Sequence, residues 1–285
     1  MSKKNIFVAD AFSEDYIGGA ELSTDALIAK TSRKIEKVKS HLLTSDYVEE
    51  NRDSVWIFGN FSNMDKKIIF KLIKSNINYH IIEYDFKYCS FRSPQKHVMS
   101  SGACDCGKEN VGKIISLFMN NANNLWFMSE RQKEVYVENF SFLDKETTRV
   151  LSSIFLESTI KKMINTKKTK NDKYLIFDSN NWLKGTSAAI DYAKKNNLKF
   201  ELVKNLKYEK MLDKLSSSKG LIFLPHAHDT CPRITIEAKL LNCDLVLGDN
   251  VLHKEEKWFK GNKEETVNYL LSNGQKFWRL LDEEK

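Results

Sequence analysis

Short apolar runs recur along this chain with amphipathic, helix-spaced stretches between them, and that alternation limits the possible folds more than any other feature of the sequence. Parallel strands cannot be joined by a tight turn and need a crossover, usually a helix. Strand–helix–strand alternation therefore predicts a parallel sheet with helices on its faces. The expected strands are Ile6–Ala9, Val55–Phe58, Tyr79–Ile82, Leu125–Met128 and Val150–Phe155, separated by helical stretches such as Leu22–Ala29, Lys66–Lys74 and Val111–Asn121. A second series has strands Tyr174–Phe177, Phe200–Val203, Leu221–Leu224 and Leu245–Leu247, with helices around Ser187–Lys195, Tyr208–Ser216 and Ile234–Leu241. Between the two series the chain turns polar and lysine-rich, with Lys161, Lys162, Lys167, Lys168 and Lys170, as a linker would. A length of 285 residues suits two domains, each able to bury its own core. The expected partition is residues 1–157, a linker at 158–172, and residues 173–285. The fold class is α/β, with two Rossmann-like doubly wound domains facing across a cleft.

Composition narrows the environment. With 41% hydrophobic and 29% charged residues the chain is globular, and no apolar stretch approaches the length that spans a bilayer. The apolar run Ile6–Ala9 behind Met1-Ser2-Lys3-Lys4 is too short for a signal-peptide core and reads as a first strand, which places the protein in the cytoplasm. Five cysteines, an odd number, argue against a disulfide framework and leave metal binding or simple burial. The net charge of +7 favours anionic partners without naming one.

In doubly wound sheets ligands bind beyond the carboxyl ends of the strands, so the informative loops follow Ala9, Phe58, Ile82, Phe177 and Leu224. The last leads into His-Asp-Thr-Cys-Pro-Arg-Ile-Thr-Ile-Glu, where Asp229 lies in the loop and Glu237 inside the helix that Pro232 opens. Unpaired N–H groups and the positive dipole end at such a helix start can hold a phosphate while Glu237 reaches a neighbouring hydroxyl. A capped helix start with an Arg233–Glu237 surface pair accounts for the same residues. After the first strand, Gly18-Gly19-Ala20-Glu21 lets an anion approach a helix N-terminus, or is an ordinary loop. It is not the dinucleotide fingerprint, because the loop from Asp10 to Ile17 is long and a third glycine is absent. Gly102 to Lys108 imitates a P-loop, but Glu109 replaces the Ser/Thr magnesium ligand and no strand precedes it.

Together these segments resemble the retaining glycosyltransferases of the GT-B fold, particularly the large family-four group. Gly18-Gly19-Ala20-Glu21 matches the family's glycine-rich loop, and Met128-Ser129-Glu130-Arg131-Gln132 its domain-closing segment. Lys184-Gly185 matches its lysine-glycine. Asp229 and Glu237 match its acid-x7-acid motif, with aspartate in place of the usual first glutamate. The resemblance covers nearly the whole of a chain that is short for the family. It implies a sugar moved from a nucleotide-sugar donor, a UDP- or GDP-sugar, to a hydroxyl acceptor with retention and no cofactor required for catalysis. It also implies that Glu237 bonds the donor's ribose hydroxyls, Lys184 neutralises the diphosphate, and Asp229 lies against the donor sugar as the catalytic candidate. The family's arginine ahead of that lysine is missing, since Asp178-Ser179-Asn180-Asn181 fills the stretch, and Arg233 is the candidate phosphate clamp in its place. That loss, with Asp229, also fits a catalytically decayed scaffold with a binding or regulatory role.

Outside the resemblance, Cys89, His97, Cys104 and Cys106 bring three thiols and an imidazole into one loop-rich stretch. They suit a closed tetrahedral structural zinc site, or are reduced cysteines beside a surface histidine. The basic run Lys30, Arg33, Lys34, Lys37 and Lys39 is either a solvated face or a contact for anionic lipid at the inner face of a membrane. A nucleic-acid acceptor would also use positive charge, although nothing here reads bases. Glu83 and Asp85 are candidates for lining an acceptor cleft. Trp56, Phe61, Tyr84, Phe86 and Tyr88 either stack on a sugar there or pack the core.

Overall fold

The computed structural model describes residues 4–283. They divide into two compact units: the chain up to Ile154 together with the segment from Asn273 onward, and Phe155–Ser272.

The first unit is built on six parallel strands: β1 (Asn5–Ala9), β2 (Ile35–Lys39), β3 (Val55–Phe58), β4 (Tyr79–Glu83), β5 (Asn124–Phe127) and β6 (Thr148–Val150). Their order is β2-β1-β3-β4-β5-β6, with β1 in register against β2 at Phe7↔Lys37 and against β3 at Phe7↔Ile57. Strands β1, β3, β4 and β5 are buried along their whole length, the reason they read as continuous apolar runs. The second unit has four parallel strands, β7 (Tyr174–Phe177), β8 (Phe200–Val203), β9 (Gly220–Phe223) and β10 (Asp244–Leu247), in the order β10-β9-β7-β8. Tyr174, Ile176, Ala189, Ala193 and Ile222 form a core on one face of this sheet. Both sheets start in the middle, step to one side and return past the start. The chain therefore reverses its direction of growth between β1 and β3, and again between β7 and β9.

Three differences from expectation have physical causes. Part of the basic run is an edge strand: Lys37 and Lys39 lie in β2, with Lys37 paired to Glu14 at 2.8 Å and Asp25 at 2.9 Å, and Lys39 to Asp15 at 2.6 Å. Partly exposed edge positions take lysine, which hid the strand. The lysine-rich stretch holds the helix Glu157–Asn165, which buries Ile160 and Met163; beyond it, Lys170 Nζ donates to the carbonyls of Leu215 and Leu241 at 3.0 and 2.8 Å. The final helix, Lys263–Glu283, gives its last turns to the first unit. There Asn273 donates to Leu151 O at 2.9 Å and Trp278 Nε1 to Leu27 O at 2.8 Å, while Phe277 lies against Trp126. Trp56, Phe61, Phe86 and Tyr88 are buried core residues, so they are not free to stack on a ligand. Tyr84 is partly buried, its hydroxyl 2.9 Å from Thr24 Oγ1. Among the described residues no helix is long and apolar enough to cross a membrane.

Candidate functional site

The second unit's switch point lies between β7 and β9, and the loops leaving those strands carry the residues singled out above. After β7 the chain makes a 3-10 turn at Trp182–Lys184, then Gly185 adopts the left-handed conformation (φ 66°) and the helix Thr186–Lys195 begins. Gly185 is pressed against the chain leaving β9. A Cβ there would meet the Leu224 carbonyl, with the carbonyl carbon at 2.6 Å and Pro225 Cα at 3.1 Å. His226 N donates to Leu183 O at 3.0 Å across the same junction. Residue 185 must therefore be glycine for two independent reasons, its dihedral and its contact.

That junction brings Lys184 to Asp229. Lys184 Nζ donates to Asp229 Oδ2 at 2.7 Å, with the lysine side chain 37% exposed and the aspartate 13%. The backbone of Asp229 is clamped by the loop after β10: its N–H donates to Asn250 O at 2.8 Å, and its carbonyl accepts from Leu252 N at 3.1 Å. The carboxylate thus stands on a fixed main chain while the ammonium keeps access to solvent. His226 stacks on Trp182 with ring centres 5.0 Å apart, and its Nε2 is 3.4 Å from Ser187 Oγ, adding a partly exposed aromatic pair that nothing in the sequence marked.

The helix Arg233–Leu240 follows Pro232, which occupies the position just before the first helical residue. Its first turn is held by Thr235, whose hydroxyl donates to Pro232 O at 2.8 Å and lies 3.1 Å from Nε2 of buried His253. Arg233 and Glu237 are both buried, so the surface-pair alternative is corrected. The guanidinium lies 3.8 Å from the centre of the Phe155 ring, and its Nε is 3.6 Å from Glu237 Oε1. Tyr208 Oη donates to the same oxygen at 2.8 Å. Burial raises the Glu237 carboxyl above its ordinary range, against the opposing pull of Arg233 and the tyrosine bond. Tyr208 and Phe155 lie far from this helix in sequence, and only folding reveals them as its partners.

In the first unit the corresponding switch point lies between β1 and β3. Asp10, just past β1, accepts from the backbone amides of Ser62 at 2.9 Å and Asn63 at 3.0 Å, tying the two loops together. Gly18 precedes the helix Gly19–Ile28 in extended backbone, with no side-chain cap, and a Cβ there would meet the Tyr16 ring at 2.7 Å. Glu21 in the first turn is partly buried, its carboxyl raised by that burial. At the end of β4, Lys87 Nζ bridges Glu83 at 3.1 Å and Asp85 at 3.2 Å. Glu83 is fully buried, which raises its carboxyl, and is therefore not a lining residue. Ser129 caps the helix Glu130–Asn139, and Gln132 Nε2 donates to the carbonyls of Glu83 and Asp85. Cys89, His97, Cys104 and Cys106 come together, their four candidate ligand atoms all within 4.8 Å of one another, so the cluster could hold a metal ion.

No protein-family model matches this chain, and no curated protein matches it in sequence. Solved structures do match its fold. The UDP-GlcNAc 2-epimerase of Methanocaldococcus jannaschii aligns over 99% of each chain at 10% identity and a TM-score of 0.52. Anabaena Alr3699/HepE in complex with UDP-glucose aligns over 97% of this chain and 94% of its own, at 12% identity and a TM-score of 0.55. AviGT4, a glycosyltransferase involved in avilamycin A biosynthesis, aligns over 95% and 89%, at 8% identity and a TM-score of 0.54. At such identities the likeness defines the fold: two Rossmann-like α/β domains of the GT-B class.

Proposed function

We propose that the protein is a glycosyltransferase of the retaining, family-four-like kind, moving a sugar from a nucleotide-sugar donor, a UDP-sugar first among candidates, to a hydroxyl acceptor. The observation that carries this is the Lys184–Asp229 pair at the carboxyl-end switch point of the second sheet, where such folds take their ligands. An ammonium has three donors, so Lys184 can keep Asp229 with one and reach a phosphate oxygen with another. In this assignment Lys184 and the adjacent start of the helix Thr186–Lys195 stabilise charge developing on the departing diphosphate. Asp229 lies against the donor sugar, and Glu237 serves the ribose hydroxyls. Arg233 supplies positive charge beside Glu237 and the phosphates, and Gly18 and Gly19 keep a helix start open to an anionic group in the first unit. The transfer requires no cofactor. The fold neighbours crystallised with UDP-glucose and with UDP-GlcNAc and UDP support a uridine donor. A cytoplasmic site of action belongs to the same proposal, at the inner face of a membrane if the acceptor is lipid-linked.

The test is calorimetric titration of the whole protein with UDP, UDP-sugars and GDP, then of Lys184→Ala. Losing a charged hydrogen bond worth about 1.5–3 kcal/mol should weaken nucleotide affinity about 10- to 100-fold. Folded wild-type protein that binds none of these nucleotides, or an unchanged affinity in Lys184→Ala, would sink the assignment. The anomeric configuration of a transferred sugar, followed by NMR, tests retention.

A further inference from the structure

The segment between β4 and the helix Asn110–Asn120 contains an element that ordinary packing does not explain. The helix Pro94–Ser101 has eight residues, a Ser93 cap and a left-handed Gly102 terminus, yet buries none of its side chains. Val98 and Met99 are exposed, and so is Phe91 just before it. So short a helix is unstable alone, because nucleation costs more than its few internal hydrogen bonds return. What converges there is the set Cys89, His97, Cys104 and Cys106: one ligand from the loop six residues beyond β4, one from the middle of the helix, and two from the loop that follows it.

Three of the separations are close to those of a coordination shell, in a cluster whose four ligand atoms all lie within 4.8 Å of one another. An ion about 2.3 Å from each sulfur and about 2.0 Å from nitrogen, with tetrahedral angles, sets sulfurs about 3.8 Å apart and sulfur to nitrogen about 3.5 Å. Cys104 Sγ lies 3.7 Å from Cys89 Sγ, and His97 Nδ1 lies 3.7 Å from Cys89 Sγ and 3.3 Å from Cys106 Sγ. All five cysteines of the chain are free thiols. Ser90 Oγ lies 3.6 Å from Cys106 Sγ, and Phe91 stacks on His97 at 4.5 Å, fixing the imidazole plane. The cluster is anchored below as well: the Cys106 carbonyl packs on Gly112 of the next helix, where a Cβ would be 2.9 Å from the Cys106 carbonyl carbon and 2.8 Å from Gly107 Cα.

We propose that Cys89, His97, Cys104 and Cys106 form a closed, structural Cys3His zinc site that serves as the core of the 84–109 excursion. Three soft thiolates and an imidazole in a shell this small select a single tetrahedral zinc ion, and four protein ligands leave no position for water or substrate. The site has a second effect on the end of β4. Arg92 lies in the turn between Cys89 and Ser93 with φ 53°, its N–H donating to Cys89 O at 2.8 Å. From there its guanidinium reaches Asp85, Nε to Oδ2 at 2.6 Å, and Asn60 at 3.3 Å. Zinc thereby holds Arg92 against the acid after β4.

The test uses the full chain without a metal-binding tag, purified reduced, with zinc alone as the probe. The expected result is about one zinc per chain by elemental analysis and, after cobalt exchange, the intense visible absorption of a tetrahedral thiolate complex. Cys104→Ser should weaken zinc by at least about tenfold, the smallest loss that disturbing even a group one step behind the ligands produces. Cys243→Ser, a buried cysteine of the second unit, should keep the metal. If Cys104→Ser fails to fold, chelation of the wild type replaces it: hydrogen exchange should rise across residues 84–112 and stay unchanged in the second unit. Folded, fully reduced wild-type protein that takes up no zinc overturns the proposal. So does undiminished zinc in Cys104→Ser, or chelation that leaves exchange in 84–112 unaltered.

Discussion

Replacing Gly185 by alanine tests the construction of the proposed donor site directly. A residue with a side chain at φ 66° suffers left-handed strain of about 1–2 kcal/mol. The added methyl also has to push back the chain leaving β9, whose Leu224 carbonyl carbon and Pro225 Cα would lie 2.6 and 3.1 Å away. Forcing atoms into a filled space costs about 1–3 kcal/mol more. The sum, about 2–5 kcal/mol, corresponds to a drop in melting temperature of roughly 4 °C or more. Gly102 provides an internal control, since it is also left-handed (φ 80°) but a Cβ there meets nothing within 4 Å. Gly102→Ala should lose only the strain of about 1–2 kcal/mol, and Gly102→Asn should recover part of it, because asparagine tolerates this region. Gly185→Asn should recover much less. Chemical denaturation of the four variants, followed by calorimetry with UDP, separates the contributions. If Gly185→Ala and Gly102→Ala differ by less than about 0.5 kcal/mol, the close approach that positions Lys184 beside Asp229 is not a constraint, and the reasoning fails.

Two further outcomes follow from buried polar groups. Burial lowers His80 to about 4 and His253 to about 3, from an ordinary value of 6.5. The unfolded chain therefore binds more protons than the native one below pH 6.5, and stability falls on acidification. At pH 5 each histidine should cost about 2 kcal/mol relative to neutral pH. Glu83 and Glu237, raised by burial, act in the opposite direction over this range, so the measurable quantity is the difference: His80→Gln and His253→Gln should each shrink the loss between pH 7 and 5 by that amount, and a slope unchanged by both would refute it. Tyr208→Phe removes the hydroxyl bonded to Glu237 at 2.8 Å. It should destabilise the protein by about 1–3 kcal/mol in denaturant unfolding, the cost of depriving a buried acid of a donor; a change inside experimental error would mean that the bond contributes nothing.

The sequence by itself determined the class of fold and the order of its parts. Runs such as Val55–Phe58 and Tyr174–Phe177 were legible because strands buried on both faces must be apolar throughout, and helices such as Lys66–Lys74 because one face must be. It also placed Lys184 and Asp229 in loops and Glu237 inside a helix, and picked out the four side chains that come together where a metal ion could be held. Strand β2 was not legible, since at a sheet edge lysine and glutamate cost nothing and Ile35 and Val38 alone do not make a pattern. Only the tertiary structure paired Lys184 with Asp229 across 45 positions, put Tyr208 on Glu237 and Phe155 beneath Arg233, and returned Trp278 to the first unit's core. The physical reason is the same in each case. Local periodicity records which face of an element is dry, whereas the partner that a polar group finds depends on strand order, and no local pattern of residues encodes the reversal between β7 and β9 that brings those loops together.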